Sequence, residues 1–250
     1  METQMLEQAQ ARRTTGMGGV VAYAGAAAFA IAAAWFWLAI KRVTVAAPPR
    51  AGRSVPVERG MRIYYHWQVT TLPQERFYTS IAIAGFLCLA AAAVIVRDLL
   101  GRDRALARIG ALTIGAGALL WITGSVAQLG GHRAVGLMAT HSNPIQTTNS
   151  IAFTIDLIAA AFALAAFALI SAGMLALAAA AAREHPGQRA WAGYTALVAL
   201  TLLVLAWSYA AGNGSLTTLM LIAEGLALLP LWLIWTSHIG GIGHGSRKAL

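Results

Sequence analysis

Two acidic residues lie in stretches of the sequence that are otherwise almost wholly apolar. Glu224 stands between MLIA and GLALLPLW, and Asp156 lies in the run IAFTIDLIAAAFALAAF, which begins at Ile151. A charged carboxylate in hydrocarbon costs several kcal/mol unless it is paired or protonated. Such a residue can bind a cation or carry a proton, so Glu224 and Asp156 are the first candidates for chemistry.

Both acids also have a purely structural interpretation. Glu224 could be protonated and hydrogen-bonded to a neighbouring helix, and Asp156 could lie near the start of its helix, where the helix dipole favours a negative charge. The functional interpretation predicts instead that Glu224 and Asp156 face one shared polar cavity. Asn149, Gln128 and Arg133 are then their predicted hydrogen-bond partners in a site for a substrate or an ion.

Histidines form the second candidate set. His66, His132 and His141 fall on one predicted side of the protein, where they could converge on a metal ion. Their spacing matches no metal-binding motif. None of the six histidines sits well inside an apolar run, which argues against a haem held between helices. We therefore predict no cofactor and keep these three residues as the candidate metal ligands.

Signatures of the common enzyme classes are missing from the sequence. It contains no Walker A phosphate loop, no GxSxG nucleophile elbow and no HExxH zinc pair. Cys88 is the only cysteine, which rules out an intrachain disulfide and a CxxC redox pair. These absences favour a protein that is not an enzyme.

The composition indicates that lipid surrounds these residues. Of the 250 residues, 58% are hydrophobic and 11% are charged, whereas about a quarter of a soluble protein is charged. The mean hydropathy is +0.66. The net charge is +9, but Lys and Arg lie almost entirely between the apolar runs, where they suit lipid headgroups. We expect the lipid bilayer as a partner and no nucleic acid.

Six apolar runs are each long enough to cross a bilayer as a helix, which takes about 20 residues. Alanine runs such as Ala90–Ala93 favour helix, and the strict alternation of a membrane β-barrel strand is missing. The sequence predicts an all-α, polytopic transmembrane helix bundle of about six spanning helices at 18–236, between tails at 1–17 and 237–250. The runs are Gly18–Ile40, Tyr78–Val96, Ile109–Leu129, Ile151–Ala182, Trp191–Ala211 and Leu216–Trp235.

The longest segment between runs, residues 41–77, is predicted to be an extracytoplasmic loop. Its part Ala47–Gly60 contains three prolines, which disfavour helix. Apolar and polar positions then alternate from Ile63 to Val69, which favours a short strand on the membrane surface or a docking surface for a partner. Near the other end of the chain, the Gly212–Ser215 turn predicts a tight hairpin of the last two helices.

The distribution of basic residues predicts the orientation. With the N-terminus in the cytoplasm, the predicted inner segments hold ten Lys and Arg residues, and the second and third outer segments hold only Arg133. The first outer loop holds seven, but long loops follow the rule less closely. We expect a multi-pass protein of the plasma (cytoplasmic) membrane with both termini cytoplasmic. Tryptophans near the run ends, including Trp191 and Trp232, are expected at the membrane interfaces.

The C-terminal third of the chain carries a family resemblance. FALISAGMLALAAA is followed by AREHPGQRAWAG at Ala182–Gly193 and later by LLPLWLIWTSHI, which contains Pro230 and Trp232. This order of helix, short basic turn, helix and closing PxW helix resembles small six-helix bacterial integral membrane proteins of unknown function. The resemblance implies a membrane helix bundle and no particular activity.

Three functions are compatible with these patterns. The missing enzyme signatures and the 41–77 loop favour a non-enzymatic accessory or regulatory subunit, acting on a membrane protein partner or in a homo-oligomer. The second is a small proton- or cation-coupled transporter that uses Glu224 and Asp156. The third is a membrane enzyme with an outer-face site built from His132, His141 and Asp156. The runs show no convincing three-plus-three repeat, which counts against the commonest transporter designs.

Overall fold

The computed structural model describes residues 18–38, 57–101, 104–140 and 145–242, with the backbone alone at residues 57–72, 140, 145, 184, 186 and 240–242. All regular elements in this part of the chain are helices. A 3-10 turn links the fourth and fifth α-helices, and a π-helical turn links the sixth and seventh. The α-helices are α1 (Gly18–Leu38), α2 (Val57–Gly101), α3 (Ala105–Thr140), α4 (Ile145–Glu184), α5 (Arg189–Ala210), α6 (Gly214–Ala223) and α7 (Leu229–Ile242).

Six spans are built from these seven helices, because α6, the π-helical turn and α7 follow one another without a break. By length and composition, each span is long and apolar enough to cross a membrane. Large apolar side chains face outward, among them Leu112, Leu119 and Phe153, which are 62%, 62% and 63% exposed. Such a surface suits hydrocarbon and not water. The prediction of an all-α bundle with about six spanning helices is confirmed.

The predicted first outer loop contains more helix than the sequence indicates. α2 begins at Val57 and continues through Pro73 into the predicted second span. The backbone from Ile63 to Val69 is helical, so the prediction of a short strand there is wrong. A short alternation of apolar residues does not distinguish a strand from about two turns of a continuing helix. Residues 39–56, with most of the Pro-rich linker, lie outside the described residues.

α3 and α4 pack together at a distance that glycine permits. On the face of α3 toward α4, every seventh residue is a glycine, and a Cβ at any of them would come within 2.8 Å of an atom of α4. Gly117, for instance, would place its Cβ 2.7 Å from the carbonyl oxygen of Ala166. A seven-residue repeat keeps two helices in contact along a left-handed supercoil. The four glycines are Gly110, Gly117, Gly124 and Gly131.

α5 and α7 are joined by a reciprocal pair of Trp–Thr hydrogen bonds. The indole N–H of Trp191 donates to the hydroxyl of Thr236 at 3.3 Å, and that of Trp232 donates to the hydroxyl of Thr195 at 3.0 Å. Each threonine hydroxyl donates to the carbonyl of the tryptophan four residues earlier in its own helix. Trp191 and Trp232 are 2% and 0% exposed. Both rings are therefore buried inside the bundle with their N–H groups partnered, and the prediction that they lie at the depth of a membrane interface stays a prediction.

The α5–α6 turn is the tight hairpin that the sequence predicts. Gly212 adopts a φ of 66°, a left-handed conformation that glycine accepts readily. The Asn213 side chain accepts a hydrogen bond from the N–H of Leu216 at 3.1 Å and so caps α6. The hydroxyls of Ser208 and Thr217 lie 2.9 Å apart across the turn. These contacts hold α5 and α6 antiparallel.

The sixth span changes its winding at Glu224. From Glu224 to Leu228 it forms the π-helical turn, in which the N–H of Leu229 reaches back five residues to the carbonyl of Glu224. Pro230 explains the change, because proline has no N–H to donate and its ring clashes with the carbonyl four residues earlier. The hydroxyl of Tyr194 on α5 donates to the carbonyl of Leu228 at 3.0 Å. This turn therefore carries the acidic residue of the span and is braced by α5.

Candidate functional site

A cavity of about 450 Å³ lies where the six spans meet. Every span contributes to its wall, from Phe29 on α1 to Leu229 on α7. Most of the wall is aromatic or aliphatic. Its carboxyl groups and its histidine gather in two places: Glu75, His132 and Asp156 form the first, and Glu224 is the second.

A single histidine ring connects three helices at the first place. Nδ1 of His132, on α3, lies 3.0 Å from Oε1 of Glu75 on α2. Nε2 of the same ring lies 3.0 Å from Oδ1 of Asp156 on α4. Gln128 Nε2 donates to the same oxygen of Asp156 at 3.4 Å. We call Glu75, His132 and Asp156 the His132 cluster.

The two contacts of the ring determine how many protons the His132 cluster holds. A neutral imidazole donates from one nitrogen only, and the lone pair of the other would then face a carboxylate oxygen. Both contacts are hydrogen bonds only when one further proton is present, on the ring or on one of the two carboxyl groups. The cluster then keeps one negative charge in total. The Asp156 side chain is 54% exposed, so the cluster, with its negative charge, lies at the edge of the cavity.

Close packing of α3 on α4 sets up the contact between His132 and Asp156. Gly131 precedes His132, and a Cβ at Gly131 would lie 2.6 Å from Cγ2 of Ile155, the residue before Asp156. The missing side chain thus lets the two helices approach where the histidine and the carboxylate meet. Glu75 reaches the same ring from the beginning of the second span, two residues after Pro73.

Glu224 has a different environment. Only 3% of the residue is exposed, and neither carboxyl oxygen has a hydrogen-bond partner among the described residues. Thr201 lies close enough to interact with this carboxyl, but its hydroxyl has hydrogen-bond geometry only with the carbonyls of Leu197 and Val198. An ionised carboxylate buried without a partner is very costly. Without a cation beside it, the carboxyl of Glu224 therefore holds a proton.

The residue after Glu224 fixes the sixth span against α1. A Cβ at Gly225 would lie 2.6 Å from Cβ of Ala33 and 3.5 Å from the carbonyl oxygen of Phe29. Any larger residue at this position would push the π-helical turn away from α1. The contact therefore sets the rotation of the span at the position where Glu224 joins the cavity wall.

The structure divides the residues that the sequence proposes for a substrate or ion site. Glu224, Asp156 and Gln128 all line the same cavity. Asn149 and Arg133 are exposed on α4 and α3, and neither belongs to the cavity wall. The sequence placed them near Asp156 by their distance along the chain, but rotation about the helix axis carries them elsewhere.

The metal hypothesis gains no support from the described residues. No group of three or more His, Cys, Asp or Glu side chains in this part of the chain is arranged to hold a metal ion. His132 has both ring nitrogens engaged with carboxyl groups. At His66 only the helical backbone is described, and His141 lies outside the described residues. Metal binding by His66, His132 and His141 together stays a prediction.

Glu75 is the member of the site that sequence reasoning missed. It lies three residues before Tyr78, where the predicted second run begins, and was therefore counted with the outer loop. Three residues are nearly one helical turn, so Glu75 and Tyr78 share a face of α2, and both line the cavity. Extending the second helix back toward Pro73 would have found this acid.

Comparisons of the chain with models of protein families, with curated proteins and with solved structures find no match. The cavity is the feature of the structure that bears most directly on function, because all six spans line it and it contains a buried carboxyl group with no hydrogen-bond partner among the described residues.

Proposed function

We propose that this protein is a small membrane transporter that exchanges protons for a cation at Glu224. One observation carries the proposal. A carboxyl group that is only 3% exposed and has no hydrogen-bond partner among the described residues lines a cavity inside a bundle of six spans. Ionisable groups in such positions mark ion and proton pathways in membrane proteins.

The exchange follows from the cost of an uncompensated charge. Without a cation, Glu224 keeps its proton, because an isolated carboxylate in this environment is unfavourable. An entering cation supplies the missing charge, so the carboxyl O–H bond breaks, the proton leaves to water, and the carboxylate pairs with the cation. The reverse step restores the O–H bond and releases the cation. One positive charge enters for each proton that leaves, so the charge at Glu224 stays balanced.

The His132 cluster supports the same function at the edge of the cavity. Its remaining negative charge attracts cations from the surroundings. Its hydrogen bonds also tie α2, α3 and α4 together beside the route that a solute would take. Loss of its shared proton leaves a ring lone pair facing a carboxylate, and we expect this to loosen the three helices.

We place the protein in the cytoplasmic membrane with both termini in the cytoplasm, following the distribution of basic residues. In this orientation the His132 cluster lies toward the outer side, as does the α5–α6 turn. Cations then reach the cavity from outside past Asp156, whose side chain is 54% exposed.

The other two functions have less support. A membrane enzyme that uses His132 for acid–base chemistry needs a ring nitrogen free to meet its substrate, and both nitrogens already contact carboxyl groups. An accessory subunit requires contacts with its partner, and it gives no reason for a buried carboxyl group on a cavity wall.

Proton exchange can be measured in proteoliposomes that enclose the pH-sensitive dye pyranine. Sodium, potassium or benzyltrimethylammonium chloride is added outside, and the internal pH should rise with at least one of them. Glu224→Gln should abolish the rise. Asp98→Asn is the matched control, because Asp98 pairs with Arg97 on α2 and lies outside the cavity. A rise that Glu224→Gln retains, or no rise with any cation, contradicts the proposal.

A further inference from the structure

The wall of the cavity is rich in aromatic rings that contact one another. Seven of its residues are aromatic, and each ring packs against another ring of the same wall. Phe86 stacks on Trp121 with ring centroids 4.2 Å apart and meets Phe29 edge-on at 5.1 Å. The other pairs are Phe36–Tyr78 at 5.6 Å and Phe167–Tyr209 at 6.0 Å.

The same wall has an excess of acidic groups. Three carboxyl groups line it beside a single histidine, and no lysine or arginine of the described chain belongs to it. His132 is shared by Glu75 and Asp156, so Glu224 is the carboxyl group without a positive partner. A solute that ionises Glu224 must therefore bring a positive charge of its own.

A calcium or magnesium ion fits this wall poorly. Calcium takes six to eight oxygen ligands and magnesium requires an octahedron of them, whereas aromatic and aliphatic carbon dominates the wall. The volume of about 450 Å³ falls within the range of roughly 300–1,000 Å³ that encloses drug-sized organic molecules. Aromatic rings attract organic cations through the negative face of the π system. Charge, volume and wall chemistry thus agree on an organic cation.

We propose that the cation exchanged at Glu224 is an organic ammonium, a quaternary or protonated amine with an aromatic or branched aliphatic body. This rests on the proposed function and names its substrate class. The ammonium pairs with the carboxylate of Glu224, and its body lies against the ring pairs of the wall. The carboxyl group of Glu224 suits this role because it is 3% exposed, has no hydrogen-bond partner among the described residues, and forms part of the cavity wall.

Direct binding to the purified protein tests this substrate class. Radiolabelled benzyltrimethylammonium, a fixed positive charge with an aromatic body, is equilibrated with the protein in detergent, and protein-free micelles serve as the blank. Unlabelled benzyltrimethylammonium should displace the label. Neopentylbenzene, the neutral molecule of the same shape, should need at least a tenfold higher concentration. Glu224→Gln should weaken binding of the label at least tenfold, and Asp98→Asn should leave it unchanged.

Aromatic variants test whether the ring pairs of the wall contribute to binding. Trp121→Leu and Tyr78→Leu should each weaken binding by about 2- to 30-fold, the effect of losing one cation–π contact. Trp207→Leu should have no effect, because Trp207 is 61% exposed and lies outside the cavity. If Trp121→Leu does not fold, Trp121→Phe keeps a ring in place and should show a smaller loss, since a phenyl ring attracts cations less than an indole.

The outcomes distinguish this inference from the proposed function. Glu224-dependent proton exchange with sodium or potassium, but not with benzyltrimethylammonium, leaves the transporter in place and overturns the organic substrate. Equal displacement by neopentylbenzene also overturns it, as does binding that Glu224→Gln leaves unchanged. Probe binding that depends on Glu224, without proton exchange for any cation, overturns the proposed function alone.

Discussion

One histidine ring holds three helices together at the edge of the cavity. His132 is 8% exposed, and its two nitrogens contact Glu75 and Asp156 from opposite sides. Removing one partner of such a group costs more than its hydrogen bonds alone, because the charges that remain lose their compensation. The contribution of the cluster to the stability of the protein therefore depends on all three side chains together and not on any single contact.

Replacing His132 by leucine should destabilise the protein by roughly 2 kcal/mol, because Glu75 and Asp156 then face each other without a donor between them. The triple variant Glu75→Gln/His132→Leu/Asp156→Asn should recover most of this loss, since it removes the repulsion as well. Thermal unfolding of the purified proteins in one detergent measures both effects. If the triple variant is as unstable as the single one, the uncompensated charges are not the cause.

Other buried polar side chains of the bundle contrast with Glu224. Ser171 is fully buried and donates to the carbonyl of Ala199 at 2.7 Å, which also ties α4 to α5. Among the described residues, the other buried side-chain atoms without a partner belong to His185 and Gln188, in the link between α4 and α5 and outside the cavity. Of these unpartnered buried side chains among the described residues, only that of Glu224 lines the cavity.

At the scale of single helices, α3 depends on four glycines spaced seven residues apart on its face toward α4. Its glycines bring the backbone of α4 close enough for the His132–Asp156 contact. Dispersion and close packing supply the attraction between helices in lipid, where no hydrophobic effect drives them together. The glycine face therefore contributes to stability and positions the site.

Two glycines of α3 allow a matched test of this packing. Gly117→Ala should destabilise the protein by about 1–3 kcal/mol, because its Cβ would lie 2.7 Å from a backbone oxygen of α4. Gly115→Ala, two residues away, should be neutral or should stabilise by up to about 1 kcal/mol, since Gly115 has no neighbour within 4 Å and alanine favours helix. Thermal unfolding in detergent compares them. Equal effects would show that α3 and α4 do not meet at Gly117.

The sixth span shows how one proline changes the direction of other side chains. Because Pro230 cannot donate a hydrogen bond, the preceding turn takes up one more residue per hydrogen-bonded ring, as the bond from Leu229 to Glu224 shows. The Trp232 side of α7 keeps its contact with α5, while Gly225 keeps its contact with α1. The π-helical turn lets one span satisfy both neighbours and places Glu224 between them.

At the scale of the whole molecule, an even number of spans places the start of α1 and the end of α7 at the same end of the bundle. The start of the second span, the end of α3 and the start of α4 lie at one end of the bundle, and there they supply the His132 cluster. The link between α4 and α5 lies at the opposite end, together with the Trp–Thr pairs near the start of α5. The His132 cluster and the Trp–Thr pairs thus lie at opposite ends of the bundle.

Single cysteines can determine which end faces outward. In a Cys88→Ser background, Ser215→Cys marks the α5–α6 turn and Gly187→Cys marks the α4–α5 link, and both positions are exposed. A membrane-impermeant maleimide applied to intact cells should label Ser215→Cys and not Gly187→Cys, because Lys and Arg favour the cytoplasmic side. The reverse labelling pattern would invert the proposed orientation and leave the fold unchanged. Labelling after cell lysis confirms that both cysteines are present.

Much of the fold could be predicted from the sequence, and less of the site. Glu224, Asp156 and Gln128 were recognisable because polar residues in apolar runs are few and costly. Glu75 was missed, since the boundary of the second helix was placed at Tyr78. The ends of a helix are harder to predict than its presence, because residues at a membrane interface can either continue the helix or form a loop in contact with water.

The sequence by itself determined that this protein consists of apolar helices suited to lipid and how many spans they form. A long apolar segment in lipid must satisfy its own backbone hydrogen bonds, and a helix does so within one segment and without reference to its neighbours. Only the tertiary structure decided that one ring joins Glu75 to Asp156, that Trp191 and Trp232 are buried, and that Glu224 is without a partner among the described residues. Those outcomes depend on how each helix is rotated and how closely it packs, which no single segment specifies.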